Sequence, residues 1–117
     1  MEKNMKPEVS ITEFEKLDFR VGTILKVEEV EKSTKLTKLT VDLGEEEART
    51  IVCSLKELRD DFYSVEGKQA LFLVNLPIRK IMGIPSHGML VTAGYDDGFP
   101  DTLLLSEKPL PNGTRIS

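Results

Sequence analysis

The sequence predicts an all-β fold with short helices, a five-stranded barrel followed by a C-terminal β extension. Three observations lead there. Polar and apolar residues alternate with a period of two over residues 20–28 and 38–43, a nearly unbroken apolar run covers 69–76, and Gly, Pro and Asp punctuate the chain between these segments. At 117 residues and 39% hydrophobic side chains the chain suits one domain with a packed core.

In chain order, residues 1–10 read as a polar tail, and Thr12-Glu13-Phe14-Glu15 has the spacing of a capping box, predicting a short helix through Leu17. Val21, Thr23, Leu25 and Val27 then alternate with Arg20, Gly22, Ile24, Lys26 and Glu28, which predicts a long first strand with the former set on its apolar face. Leu39, Val41 and Leu43 alternate with Lys38, Thr40 and Asp42 before a turn at Gly44, and the β-branched run at 50–55 is a third strand completing a meander. Between them Glu45-Glu46-Glu47 reads as a solvated hairpin tip that discourages edge pairing. Leu55, Leu58, Phe62 and Val65 recur every three or four residues, so 55–64 is expected to form one amphipathic helix, ended by Gly67. Residues 69–76 and 88–94 are the fourth and fifth strands, joined by a loop at 77–86.

Three strands, a helix and two strands is the order of an OB barrel, and it uses the chain only to about Tyr95. Residues 96–117, with Leu103, Leu104, Leu105, Leu110 and Ile116, are left over. They form either a strand folded back on its own barrel or an association surface. The expected division is therefore a tail at 1–10, a barrel at 11–95 and a dimer-forming extension at 96–117.

Composition narrows the function. The single Cys53 closes no intrachain disulfide, and with one His87 there is no ligand set for structural zinc. Cys53 alternates with Ile51 and Leu55 and reads as an inert buried thiol; none of the phosphate-loop, dinucleotide, nucleophile-elbow or metalloprotease motifs occurs. A non-catalytic protein without cofactor or metal is expected. The longest apolar run, 70–74, is too short to cross a bilayer and the first residues hold no apolar stretch, so the expectation is a soluble cytoplasmic protein with no membrane role.

A net charge of −4 on its own argues against an obvious nucleic-acid binder, but the distribution is uneven. Residues 68–95 carry Lys68, Arg79 and Lys80 and no carboxylate, partly because a buried strand excludes charge in any case. Within this window the segment from Asn75 to Leu90 combines adjacent basic groups, a glycine bend and a short hydroxyl side chain. Each part suits RNA: Arg offers a planar fork, Lys a mobile point charge, and an exposed Ser hydroxyl a partner for phosphate or ribose.

With Phe19-Arg20-Val21-Gly22-x-Ile24 and Leu76-x-x-Arg79-Lys80-x-x-Gly83-x-x-Ser86-x-Gly88-Met89-Leu90, the chain resembles the tRNA-binding OB domain family. That family occurs at the C-terminus of methionyl-tRNA synthetases, as free-standing dimers, in cytokine-precursor partners of synthetases and in the CsaA chaperone. The likeness spans residues 11–117, with Leu104, Leu105, Pro109, Pro111, Gly113 and Ile116 matching at the C-terminal end. It implies binding to the shape of folded tRNA, with Lys35, Asn75, Arg79, Lys80, Ser86 and Met89 matching positions of the binding motifs. It also implies a homodimer joined through the C-terminal region, acting free-standing or as the separate β subunit of a methionyl-tRNA synthetase. Two positions depart from the family pattern: Val30-Glu31-Lys32-Ser33-Thr34 replaces a His-Pro-x-Ala-Asp motif, and Met82 stands where a basic residue often precedes the glycine. The same residues have plainer readings: Ser86 as a turn cap, Gly83 and Gly88 as backbone devices, Met89 as packing and His87 as a loop residue. A CsaA-like protein-binding chaperone and a synthetase assembly subunit stay open as alternative functions.

Overall fold

The computed structural model describes residues 4–117. Its elements are α1 (Ile11–Phe14), β1 (Phe19–Glu29), β2 (Thr37–Asp42), β3 (Arg49–Cys53), α2 (Leu55–Leu58), a 3₁₀ turn at Phe62–Val65, β4 (Gln69–Leu73), β5 (Arg79–Ile81), β6 (Ile84–Ser86), β7 (Met89–Leu90), β8 (Thr92–Ala93), a 3₁₀ turn at Tyr95–Asp97, β9 (Thr102–Leu103) and β10 (Arg115–Ile116). The antiparallel main sheet runs β3-β2-β1-β4-β7, the five strands of the expected barrel, and β10 adds to β1. Closure brings β3 against the segment entering β7, where the His87 N–H donates to the Thr50 carbonyl at 2.9 Å. Among the described residues no helix is long and apolar enough to cross a membrane.

β1 is long because it serves several partners: residues 19–23 pair with β4, Phe19 and Arg20 with β10 on the other side, and 23–29 with β2. A register shift between Ile24 and Lys26 makes Leu25 a bulge, and this overturns the expected apolar face. Ile24 is completely buried and Val27 nearly so, whereas Leu25 is half exposed. One extra residue on the bulged strand switches the side-chain alternation, so a strict period of two holds only on either side of it. The core gathers Ile24, Val27, Leu39, Val41, Leu43, Ile51, Leu55, Val65, Phe72, Val74 and Leu90 inside the barrel.

Both helices differ from expectation. The N-cap of α1 is Ser10, whose Oγ accepts the Glu13 N–H at 3.1 Å while the Glu13 carboxylate receives the Ser10 N–H, so the capping box begins two residues before Thr12. The expected helix over 55–64 breaks at Arg59, which is extended and forks onto Asp61 at 2.8 and 3.0 Å; Phe62–Val65 then forms a separate turn. Consecutive Asp60 and Asp61 are poor helix-interior residues, and the fork rewards the break. The apolar spacing that suggested a helix is nevertheless satisfied, since the two short pieces bury Leu55 and Val65.

The fifth strand is likewise split: β7 pairs with β4, and β8 leaves the barrel to pair with β9. The C-terminal segment is tied to its own barrel. Gln69 donates to the Leu110 carbonyl at 2.6 Å and accepts from the Leu110 N–H and the Ser106 hydroxyl, and Thr23 bonds Asn112 at 2.7 Å. Leu103 enters the core, while Leu104, Leu105, Leu110 and Ile116 remain exposed.

Candidate nucleic-acid interface

The segment expected as a loop at 77–86 is a β-hairpin. β5 and β6 pair with Arg79 opposite Ser86, Lys80 opposite Pro85 and Ile81 opposite Ile84, and Met82 and Gly83 form the two-residue turn with φ of 49° and 80°. Positive φ at both central residues is the signature of a type I′ turn, whose twist matches that of the strands and which glycine enters without a Cβ penalty. Alternation along β5 then separates the adjacent cations: Arg79 shares a face with Ile81, Ile84 and Ser86, whereas Lys80 lies with Pro85 on the opposite face. Both are exposed, and among the described residues neither has a carboxylate within 4.0 Å.

Ser86 is not on the surface. It is 3% exposed, and its Oγ accepts the Val52 N–H at 2.9 Å, supplying at the open edge of β3 an acceptor that no carbonyl provides. The hydroxyl therefore anchors the hairpin to the barrel. Gly88 follows for a backbone reason: it sits at φ +122°, and a Cβ there would lie 3.2 Å from both Ile51 Cδ1 and the Leu73 carbonyl oxygen. Only glycine lets the chain turn into β7 while lying this close to β3 and β4.

Asn75, just past β4, is exposed but committed. Its Oδ1 accepts the Asp18 N–H at 3.0 Å and its Nδ2 donates to the Lys16 carbonyl at 2.7 Å, so it fastens the α1–β1 connection. Beside it Arg20 forks onto Asp18 at 2.9 Å, and that hydrogen-bonded guanidinium holds the Asp18 carboxyl below its usual range. Lys35 is exposed in the connection before β2, 3.9 Å from Glu57. Met89 is about half exposed and does not join the core. Thus Arg79, Ser86 and Met89 come together at the hairpin, Lys80 lies on its other face, Asn75 ties a neighbouring connection, and Lys35 belongs to the β1–β2 connection.

Arg79, Ser86 and Met89 border a groove of about 500 Å³ whose other walls are Val52, Leu76, Pro77, Ile78, Ile81 and Gly88. The sequence reading gave Ile78 no role and placed Leu76 in the fourth strand and the family motif without a place at the site; the strand ends at Leu73, and the two large apolar residues on either side of Pro77 were the available signal. A neighbouring depression, sharing Ile78 with this groove, is bordered by Ile84, Pro85 and His87 together with Glu45, Glu46 and Glu47. This acidic tip is only partly a solvated loop. Glu45 holds Arg49 by a fork at 2.7 and 2.9 Å, and Arg49 reaches across to the Val74 carbonyl at 2.8 Å. The fork keeps the Glu45 carboxyl below its ordinary range.

The Cys53 thiol lies 3.8 Å from the Thr37 carbonyl, and burial pushes it up to about 11, far from a nucleophilic thiolate. Among the described residues no group of three or more His, Cys, Asp and Glu side chains is placed to hold a metal ion.

Against known proteins, residues 19–115 match the family described as "Putative tRNA binding domain". The methionine–tRNA ligases of Methanococcoides burtonii and Archaeoglobus fulgidus are 46% and 43% identical over 108 and 113 residues, covering 92% and 95% of this chain. The chain spans 16% of the length of each ligase. Among solved structures, a MetRS-related protein from Pyrococcus horikoshii superposes with a TM-score of 0.85 at 35% identity, covering 96% of this chain and all of that one. The chaperone CsaA from Bacillus anthracis gives 0.80 at 26% identity, covering 95% of this chain and all of that one. The family match extends over both strands of the hairpin and the Gly88 crossing and reaches Arg115 at the start of β10, and the chain belongs to this family of tRNA-binding domains.

Proposed function

We propose that this domain binds folded tRNA without catalysing a reaction on it, recognising shape and backbone rather than sequence. Arg79 and Lys80 contact phosphates, Ser86 and Asn75 hold the surfaces that present them, and Met89 and Lys35 border the contact. The observation that carries this reading is the pair of exposed, carboxylate-free cations on a hairpin within the one acid-free stretch of an acidic chain. In the same reading the protein is a cytoplasmic homodimer joined through 96–117, acting free-standing or as the separate β subunit of a methionyl-tRNA synthetase. Exposed Leu104, Leu105, Leu110 and Ile116 support the dimer, which would present two hairpins to one tRNA.

Retention of folded tRNA by the purified protein at low salt tests the proposal. With about three or four phosphates neutralised, affinity should fall roughly 20- to 100-fold between about 50 and 200 mM salt. Arg79→Ala with Lys80→Ala should remove most of it while leaving the melting curve in place. Equal affinity for an unstructured RNA of the same length would sink shape recognition. Light scattering near the monomer mass of 13.1 kDa at micromolar concentration would sink the dimer.

A second reading has its own support. The half-exposed Leu76, Ile78 and Met89 around the hairpin would suit an unfolded polypeptide, and the structural likeness to CsaA chaperones points the same way. Suppression of aggregation of a denatured test protein, with no retention of tRNA, would establish it in place of the first.

A further inference from the structure

The groove between the β5–β6 hairpin and β7 has a composition that phosphate binding leaves unexplained. We propose that it is a slot for an unpaired nucleobase of the bound RNA, with that nucleotide's phosphate held by Arg79 at the mouth; the inference rests on the tRNA-binding reading above.

Its volume, about 500 Å³, falls within the range of small-molecule sites, which run from about 300 to 1,000 Å³. Its walls are aliphatic: Val52, Leu76, Ile78, Ile81 and Met89. A flat heterocycle laid against these side chains removes apolar surface from water, and Leu76, Ile78 and Met89 expose such surface together at one groove, Ile78 at 63%. A single polar side chain at the groove is nearly fully buried, Ser86. Its oxygen already accepts the Val52 N–H, and among the described residues its own proton has no acceptor. That spare donor is what a base edge rich in carbonyl oxygens and ring nitrogens can use.

Charge chooses the occupant. Arg79 stands on the same hairpin face as Ser86 and Ile81, so a cation lies at the mouth and no acidic side chain lines the groove. A neighbouring depression that shares Ile78 with the groove is lined by Glu45, Glu46 and Glu47, which repel a polyanion. A nucleic acid is therefore drawn to the Arg79 end of the groove, bringing a base and its phosphate together. A base held in a duplex cannot enter, so the slot selects RNA with unpaired bases, as at loops and ends. Since no aromatic side chain lines it, the base is buried against aliphatic carbon rather than stacked on a ring, and the contribution is smaller than at an aromatic platform.

The test uses the full chain, methyl-labelled for NMR, with adenosine and uridine monophosphates as probes and inorganic phosphate as control. The nucleotides should shift the Ile78 and Met89 methyl signals at millimolar concentration; phosphate should leave them unmoved. Ile78→Ala and Met89→Ala, both at exposed positions, should each weaken tRNA binding by about fivefold to tenfold without altering the salt slope, because they remove apolar contact and no charge. Arg79→Ala should lower that slope by about one. A fully paired RNA duplex should bind both methyl-truncated variants as it binds the parent.

Absence of nucleotide-dependent shifts overturns the slot, and so does unchanged tRNA affinity in both truncations. If the truncations impair capture of a denatured polypeptide and spare tRNA, the groove is a peptide site and the slot is likewise overturned. Failure of the parent protein to retain tRNA removes the underlying reading, and it is told apart by the retardation assay, which does not depend on the nucleotide shifts.

Discussion

Replacing Ser86 by alanine removes one oxygen atom and asks whether barrel closure depends on it. The side chain is 3% exposed and the Val52 N–H that it accepts points out of β3 toward the hairpin, where no other acceptor is paired with it. In Ser86→Ala this donor stays buried and unmet, at a cost of about 1–3 kcal/mol. Unfolding entropy near about 2.1 cal/mol/K per residue puts a domain of this length at about 250 cal/mol/K, so the melting temperature should drop by about 4–12 °C. Circular dichroism melting reads the shift, and hydrogen exchange reads its location. The Val52 amide should lose protection, while the His87 amide, bonded to the Thr50 carbonyl, should lose less. A drop under about 2 °C with Val52 protection intact would refute the reasoning, since the hydroxyl would then not be the acceptor that closes the edge. A loss of tRNA binding at an unchanged melting temperature would mean that the hydroxyl serves an RNA contact alone and has no part in closing the barrel.

Three further outcomes are expected. Met82 occupies the first positive-φ position of the hairpin turn, where Asn is preferred before Gly, so Met82→Asn should raise stability by about 0.5–1 kcal/mol and the melting temperature by about 2–4 °C; a decrease would mean that the methionine side chain contributes more than its backbone costs. Asp61 is held down to about 2 by the Arg59 fork, below its ordinary 3.8, so the stabilisation it lends is complete above about pH 4 and disappears as pH falls toward 2. Carboxyl NMR should show Arg59→Gln returning Asp61 toward 3.8, and an unmoved midpoint would remove Arg59 as the cause. Cys53, partly buried with its thiol raised to about 11, should react with a thiol reagent at pH 8 far more slowly in the native than in the unfolded protein; equal rates would contradict the raised value.

Much of the fold was legible because its signals are local. Alternation over 38–43 became β2, the apolar run beginning at Gln69 became β4, and Gly44 and Gly83 marked turns that exist. The acid-free stretch and the motif residues around Arg79, Ser86 and Gly88 are likewise properties of the chain read in order, and they were enough to identify the family and the barrel.

Other features depend on which segments meet. Nothing near Leu25 announces that it becomes the bulge, because a bulge is defined against the strand opposite, and so Ile24 rather than Leu25 enters the core. Arg79 and Lys80 read as one basic pair until pairing with β6 places them on opposite faces. A serine is polar in any sequence; only closure of β3 against the hairpin turns Ser86 from a candidate surface contact into a buried acceptor. Leu103 looks surplus beside Leu104 and Leu105 until β8 and β9 pair and carry it into the core. Composition and periodicity determined the order of the main barrel strands and the chemistry available to them, but not the hairpin at 79–86 or the β8–β9 pair. Register, burial and the direction of each side chain were decided by contacts between residues tens of positions apart, whose free energy belongs to the closed barrel and to no single segment of the chain.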